Sequence, residues 1–166
     1  MSLDNFQLPP ILIPELYKDF LVNLESQQSL PESLKESSIS SLGKNEGNIL
    51  LLVKDKNLLY LPDEDLNFLL GILTACKKTM SDVALVNIAS NPGVDFKKLI
   101  QQFQPDTIIS FGIELAELSF PLEYPHYQLQ KYSGKTLLAA PSLQTLAGNV
   151  SEKKNLWTCL KTLFSV

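Results

Sequence analysis

Residues 49–53 read Ile-Leu-Leu-Leu-Val, an apolar run with no polar residue inside it. A short continuous run of this kind is typical of a strand that lies inside a parallel sheet and is covered on both faces. Three more short strands are predicted further along the chain, over 83–88, 107–111 and 136–140. These four runs predict a sheet with a buried interior, because each of them is too apolar to face water on either side.

The segments between these strands carry helical patterns. Asp63-Glu64-Asp65 brings negative charge to the positive end of a helix dipole. One apolar face follows, formed by Leu66, Leu69, Leu70, Leu73 and Cys76. Similar stripes predict helices over 96–103 and near the C-terminus, where Asn149 or Ser151 is expected to act as the cap. Ser142 is expected to cap a short helix after Pro141. Alternating strands and helices predict an α/β fold, a three-layer sandwich around a short, mostly parallel, four-stranded sheet.

The first 48 residues differ in composition from the rest. Residues 13–24 have the spacing of an amphipathic helix, with apolar positions Ile13, Leu16, Tyr17, Phe20, Leu21 and Leu24. The serine-rich stretch that follows is typical of a mobile connector. We therefore expect an N-terminal helix in residues 1–26, a linker in 27–48 and an α/β domain in 49–166. The helix either folds onto its own domain or docks in a groove of a partner, and both remain open.

Charge and composition bear on the class of function. The 166 residues include 14 cationic and 18 anionic side chains, for a net charge of −4. All the cations are lysine, whereas arginine is the residue that grips phosphate and guanine with two hydrogen bonds. We therefore expect no tight direct binding of nucleic acid. Neither a long apolar run nor a secretion signal is present, so we expect a cytoplasmic protein without membrane association.

Residues typical of catalytic or metal sites are few. A single histidine, His126, cannot build a standard zinc site, and Cys76 and Cys159 form no CxxC pair. Gly134-Lys135-Thr136 resembles the end of a phosphate-binding loop, but Leu129 stands where that motif needs its first glycine. The motif also precedes a strand, so we expect a hairpin turn there. We expect buried thiols, no metal and no cofactor.

A stretch near the C-terminus resembles a known family. From residue 133 it reads Ser-Gly-Lys-Thr-Leu-Leu-Ala-Ala-Pro-Ser-Leu-Gln-Thr-Leu, and it continues through Asn149 and Lys153 to Leu156-Trp157. It is similar to the end of the DNA polymerase III psi subunit. That family has a strand led by glycine, a small residue, proline, a small residue and leucine, then an asparagine and a Leu-Trp helix. The helix that begins near residue 63 and the strand over 83–88 are also similar.

The resemblance implies a fold like that of uracil-DNA glycosylases without their catalytic groups. Those enzymes carry a Gly-Gln-Asp-Pro-Tyr-type loop after the first strand and His-Pro-Ser after the last. Here residues 53–58 read Val-Lys-Asp-Lys-Asn-Leu, and Ala140 stands in the histidine position, where it cannot stabilise an oxyanion. The resemblance thus implies no catalytic residue. It implies a vestigial pocket formed by Asp55, Gly112, Ala140, Pro141 and Ser142.

The same resemblance implies a non-catalytic bridging subunit of the bacterial DNA polymerase III holoenzyme. Its expected partners are a clamp-loader subunit and, where the source organism has one, a chi-like subunit. The chain departs from the family at its N-terminus, which carries a patterned helix in place of a short basic tail. The residues expected to bind a partner are Ile13, Leu16, Tyr17, Phe20 and Leu24. The alternative is a glycosylase-fold enzyme, or a small-ligand or nucleotide-binding protein, with a pocket at the carboxyl ends of the strands.

Overall fold

Five strands form one mixed sheet in the computed structural model, which describes residues 38–166. The strands are β1 (Ile49–Val53), β2 (Val83–Asn87), β3 (Thr107–Phe111), β4 (Leu129–Tyr132) and β5 (Lys135–Ala140). Their order is β2-β1-β3-β5-β4, with β4 antiparallel to β5 and the other neighbours parallel. The α/β class is therefore confirmed, whereas the prediction of four strands is wrong by one.

The additional strand is β4, which the apolar pattern does not predict. It reads Leu-Gln-Lys-Tyr and lies at the edge of the sheet, where its side chains are half-buried or exposed. An edge strand of a hairpin is held by its neighbour and needs no buried run of its own. Ser133 and Gly134 join it to β5 with φ angles of 51° and 78°, as two-residue hairpin loops require. The predicted hairpin turn is confirmed.

Helices cover both faces of the sheet. They are α1 (Asp63–Ala75), α2 (Phe96–Phe103), α3 (Leu143–Gly148) and α4 (Val150–Phe164), with a 3-10 turn at Leu115–Leu118. The core on one face contains residues of α1, α3 and α4, and the core on the other contains residues of α2 and the 3-10 turn. Both cores share β1, because successive side chains of a strand point to opposite faces. Leu51 thus belongs to the first core and Leu50 to the second.

Two predicted helix caps are confirmed at the C-terminal end of the domain. The backbone N–H of Thr145 donates to Oγ of Ser142 at 3.3 Å, which caps α3. Oδ1 of Asn149 accepts from the N–H groups of Ser151 and Glu152 at 3.0 and 3.4 Å, which caps α4. These bonds satisfy N–H groups that have no partner inside the helix, and so they fix where both helices begin.

Residues 38–48 belong to the α/β unit and not to a linker. Ile39 is buried in the core that contains α2. Leu42 exchanges two backbone hydrogen bonds of 2.8 Å with Leu85 and so pairs with the outer edge of β2. The backbone at Gly43 lies so close to β2 that a Cβ atom there would come within 2.2 Å of the carbonyl oxygen of Val83. The predicted linker is therefore wrong at its C-terminal end, because composition does not reveal a segment that covers an exposed sheet edge.

Other predictions concern the ends of the chain and its thiols. The N-terminal helix, the first part of the linker and the partner-binding residues Ile13, Leu16, Tyr17, Phe20 and Leu24 lie outside the described residues. Both thiols are free; Cys76 is buried and Cys159 is half-buried. Burial raises the pKa of both thiols above its ordinary value, which disfavours the reactive thiolate.

Candidate functional site

The carboxyl edge of the sheet brings together the residues of the implied pocket. Asp55 follows β1, Gly112 follows β3, and Pro141 and Ser142 follow Ala140 at the end of β5. Asp55 and Ser142 line one cavity between the ends of the strands. Gly112 lies against Ser142, and its N–H donates to the carbonyl oxygen of Ala140 at 2.9 Å. The fold therefore assembles these residues at one place, where open α/β sheets bind ligands.

The cavity at this edge is small. Its volume is about 70 Å³, whereas ligand pockets usually enclose about 300–1,000 Å³. One reason is the close approach of Gly112, whose φ of 64° lies in the left-handed region. A Cβ atom at that position would come within 2.9 Å of Cβ of Ser142. The two loops after β3 and β5 thus lie directly against each other and leave little space between them.

Asp55 uses its carboxylate to hold the loop after β1. Its Oδ1 accepts from the backbone N–H groups of Asn57 and Leu58 at 2.8 and 3.0 Å. This is an Asx turn, in which the side chain takes the place of a backbone acceptor. The loop geometry therefore accounts for an aspartate at this position, without a ligand or a reacting group.

Asn87 is a buried polar residue at the same edge, and it belongs to no recognisable sequence motif. Its Oδ1 accepts from the N–H groups of Asp55 and Ala89 at 3.0 and 3.1 Å. Its Nδ2 donates to the carbonyl oxygens of Asp55 and Leu58, both at 2.8 Å, and to Oγ of Ser90 at 3.0 Å. One amide thus joins the loops after β1 and β2. The available signal is a single asparagine that ends the otherwise apolar strand β2.

A larger groove lies on the outer side of α1 and α4, and we call it the α1–α4 groove. Its volume is about 390 Å³. It is lined by Asn67, Phe68, Gly71, Ile72, Ala75, Lys153, Leu156, Trp157 and Leu160. Phe68, Ile72 and Trp157 are half-buried, so large apolar side chains from two helices reach solvent side by side.

Lysines lie over aromatic rings along this surface. The pairs, with the distance from Nζ to the ring centroid, are Lys153 on Phe68 (5.4 Å), Lys161 on Trp157 (5.5 Å) and Lys78 on Phe164 (5.7 Å). Such cation–π contacts are worth about 0.5–1 kcal/mol each at exposed sites. The lysine pairs at 77–78 and 153–154 are far apart in the sequence, and the fold brings one member of each to this face.

A third cleft contains the single histidine. It has a volume of about 350 Å³ and lies beside the loop after β3. Glu114, Glu123, Tyr124 and His126 contribute polar groups to its lining. Burial raises the pKa of Tyr124 above its ordinary value, which favours the neutral hydroxyl, a hydrogen-bond donor. The cleft is large enough for a small polar ligand.

Comparisons with known proteins assign no family. No protein-family model matches the chain, and no curated protein gives a significant match. Over residues 38–166, no helix is long and apolar enough to cross a membrane. The same residues contain no group of three or more His, Cys, Asp or Glu placed to hold a metal ion. The edge, the groove and the cleft are therefore the structural features from which a function can be inferred.

Proposed function

We propose that this protein is a non-catalytic accessory subunit of a bacterial DNA polymerase III holoenzyme that acts in the cytoplasm through protein–protein contacts. The observation that supports this best is the carboxyl edge of the sheet. A glycosylase needs a pocket there that receives a base flipped out of the duplex. In this chain the cavity is about 70 Å³, and the polar side-chain atoms of Asp55 and Asn87 form hydrogen bonds with the backbone of nearby loops. The resemblance of residues 133–157 to psi subunits supplies the replication context.

The proposed partners are a clamp-loader subunit and, where the source organism has one, a chi-like subunit. The apolar positions Ile13, Leu16, Tyr17, Phe20 and Leu24 are proposed to bind one of them. These positions lie outside the described residues, so the support for them is their helical spacing in the sequence.

Affinity purification of the tagged full chain from native lysate tests this function. Clamp-loader subunits identified by mass spectrometry are the expected result. The double variant Leu16→Asp/Phe20→Asp should lose them, because charge on the apolar stripe opposes its burial in a groove. Lys18→Ala changes the polar side of the same segment and should retain them. Absence of clamp-loader subunits from the eluates of both the wild-type chain and Lys18→Ala would contradict the proposal.

Two assays address catalysis and direct DNA binding. We expect no release of uracil from single- or double-stranded DNA above a buffer control, because Ala140 stands in the histidine position. Excision that depends on the protein and is lost in Asp55→Asn would overturn the proposed non-catalytic role. We also expect no micromolar binding of DNA by fluorescence anisotropy at about 0.15 M salt, since tight binding needs several aligned cations.

The cleft near His126 favours a second candidate, a small-ligand-binding protein. Its volume of about 350 Å³ falls within the usual range of ligand pockets. Its carboxyl, imidazole and phenol groups would suit a polar ligand with hydrogen-bond donors. A screen of small polar compounds by thermal shift tests this candidate. Stabilisation that disappears in His126→Ala would support it, whereas stabilisation unchanged in that variant would place the ligand elsewhere.

A further inference from the structure

We infer that the α1–α4 groove is a docking site for an amphipathic helix with acidic flanks, contributed by a partner protein. The inference rests on the proposed function and names the chemistry of the partner that such a subunit would bind. It is carried by the shape of the groove, its apolar lining and the lysines along it.

The shape of the groove suits a helix. Lining residues 68, 72 and 75 follow one side of α1, and 153, 157 and 160 follow one side of α4. These spacings are one helical turn each, so the groove is bounded by two helix faces along its length. Gly71 leaves room in the middle, because a Cβ atom there would have no heavy atom within 4 Å. A row of apolar side chains spaced by turns can enter such a groove as a third helix.

The charges along the groove favour a partner helix that has acidic residues beside its apolar stripe. Lys153 and Lys161 hold their ammonium groups over Phe68 and Trp157, and Lys78 lies beyond them over Phe164. An approaching helix therefore meets positive charge next to the apolar lining. The first turns of both helices are acidic, because α1 begins with Asp63-Glu64-Asp65 and α4 carries Glu152 in its first turn. The acidic flanks should consequently face the C-terminal ends of α1 and α4, where Lys78 and Lys161 lie.

The same features argue against a nucleic-acid strand as the occupant. Single strands bind through bases that stack on free aromatic faces. Here lysine side chains lie over the rings of Phe68, Trp157 and Phe164. Ile72 and Leu160 make the rest of the lining aliphatic, which an apolar helix face matches better than a base does.

Fluorescence of the full chain offers a direct test, because Trp157 is its only tryptophan. The probes are two synthetic helical peptides with the same stripe of Leu and Phe, one flanked by Glu and the other by Lys. The Glu-flanked peptide should move Trp157 emission to shorter wavelength as the ring loses water. It should bind about tenfold more tightly than the Lys-flanked peptide, because charge complementarity sets the preference.

Variants at two places connect the signal to the groove. Gly71→Phe should abolish peptide binding because its ring occupies the groove, whereas Gly71→Ala should bind like the wild-type chain. Lys153→Glu/Lys161→Glu should reverse the preference and favour the Lys-flanked peptide. The double variant changes only exposed side chains, so it remains informative if Gly71→Phe fails to fold.

Several outcomes would overturn the inference. These are equal affinity for the two peptides, binding of neither, or binding unchanged in Gly71→Phe. An emission shift caused by oligothymidine would indicate a nucleic-acid strand. A peptide of residues 11–26 that displaces the probe would assign the groove to the chain itself, and a shift that depends only on protein concentration would assign it to a second copy. Clamp-loader subunits that still co-purify after such a result would leave the proposed function standing without this groove.

Discussion

The carboxyl edge of the sheet and the α1–α4 groove differ in what their side chains contact. At the edge, the amide of Asn87 and the carboxylate of Asp55 bond to the chain's own backbone, around a cavity of about 70 Å³. In the groove, Phe68, Ile72 and Trp157 remain half-exposed around about 390 Å³. Polar residues at strand ends therefore need not form a binding site. In the groove, by contrast, large apolar side chains of two helices line an open volume.

The variant Asn87→Leu tests most strongly whether the Asn87 amide holds the loops at the carboxyl edge of the sheet. It removes a fully buried amide that bonds to two N–H groups and two carbonyl oxygens of half-buried or exposed loop residues. Polar groups that lose their partners cost about 1–3 kcal/mol each when buried, and these four are only partly buried, so we expect a loss of about 3–5 kcal/mol in total. Urea unfolding measures it. Asn155→Leu makes the same change at an exposed position of α4 and should stay within about 0.5 kcal/mol. Similar losses in both variants would show that the edge is not held by Asn87.

A pair of glycine variants measures how closely the loops at the edge approach. Gly112 and Gly134 both have positive φ, 64° and 78°, but only at Gly112 would a Cβ atom meet Ser142. Gly112→Ala should therefore cost about 2–4 kcal/mol, from backbone strain plus overpacking. Gly134→Ala adds the backbone strain of a positive φ without a close contact, and it should cost about 1–2 kcal/mol. Equal losses of unfolding free energy, measured by thermal unfolding, would mean that Ser142 leaves room for a Cβ atom at position 112.

Sequence alone predicts the parts of this fold that are encoded locally. β1, β2, β3 and β5 are recognised because each is a buried apolar run, and the caps Ser142 and Asn149 are recognised from their positions before helices. β4 has no apolar run and is indicated only by the hairpin turn predicted at residues 133–134, because an edge strand needs no buried run of its own. The segment 38–48 escapes prediction because its stability comes from residues distant in the chain, as in the pairing of Leu42 with Leu85.

The sequence likewise predicts only part of the candidate site. The implied pocket residues lie together because strand ends are easy to locate in an alternating α/β sequence. The groove is not foreseen, because Phe68 and Trp157 are far apart in the chain and both lie outside the main apolar stripes of their helices. The use of the Asp55 carboxylate also depends on three-dimensional loop geometry, which its residue type does not reveal.

In the groove, Gly71→Ala should stabilise the protein. Glycine inside a helix is about 0.8–1 kcal/mol less favourable than alanine, and the added methyl group meets no atom within 4 Å. An increase of that size in the free energy of unfolding would show that this open space is not required by the fold. A decrease would mean that the added methyl group collides with a neighbouring side chain in the groove.

The smallest expected effect concerns the lysines. Lys153→Ala removes the contact with Phe68 and should cost about 0.5–1 kcal/mol. The neighbouring Lys154→Ala is the matched control, because Lys154 is exposed and lies over no ring among the described residues. Chemical denaturation of the two variants at low salt measures the difference. Indistinguishable curves would indicate that the lysine over Phe68 is not held there.

We expect the partner to bind the α1–α4 groove and not the carboxyl edge of the sheet. Site-specific photo-crosslinking in native cells tests it, with benzoylphenylalanine placed at Phe68 in the groove or at the exposed Gln144 beside the edge cavity. We expect a crosslink from position 68 to a clamp-loader or chi-like subunit and none from position 144. A crosslink to such a subunit from position 144 alone would contradict it.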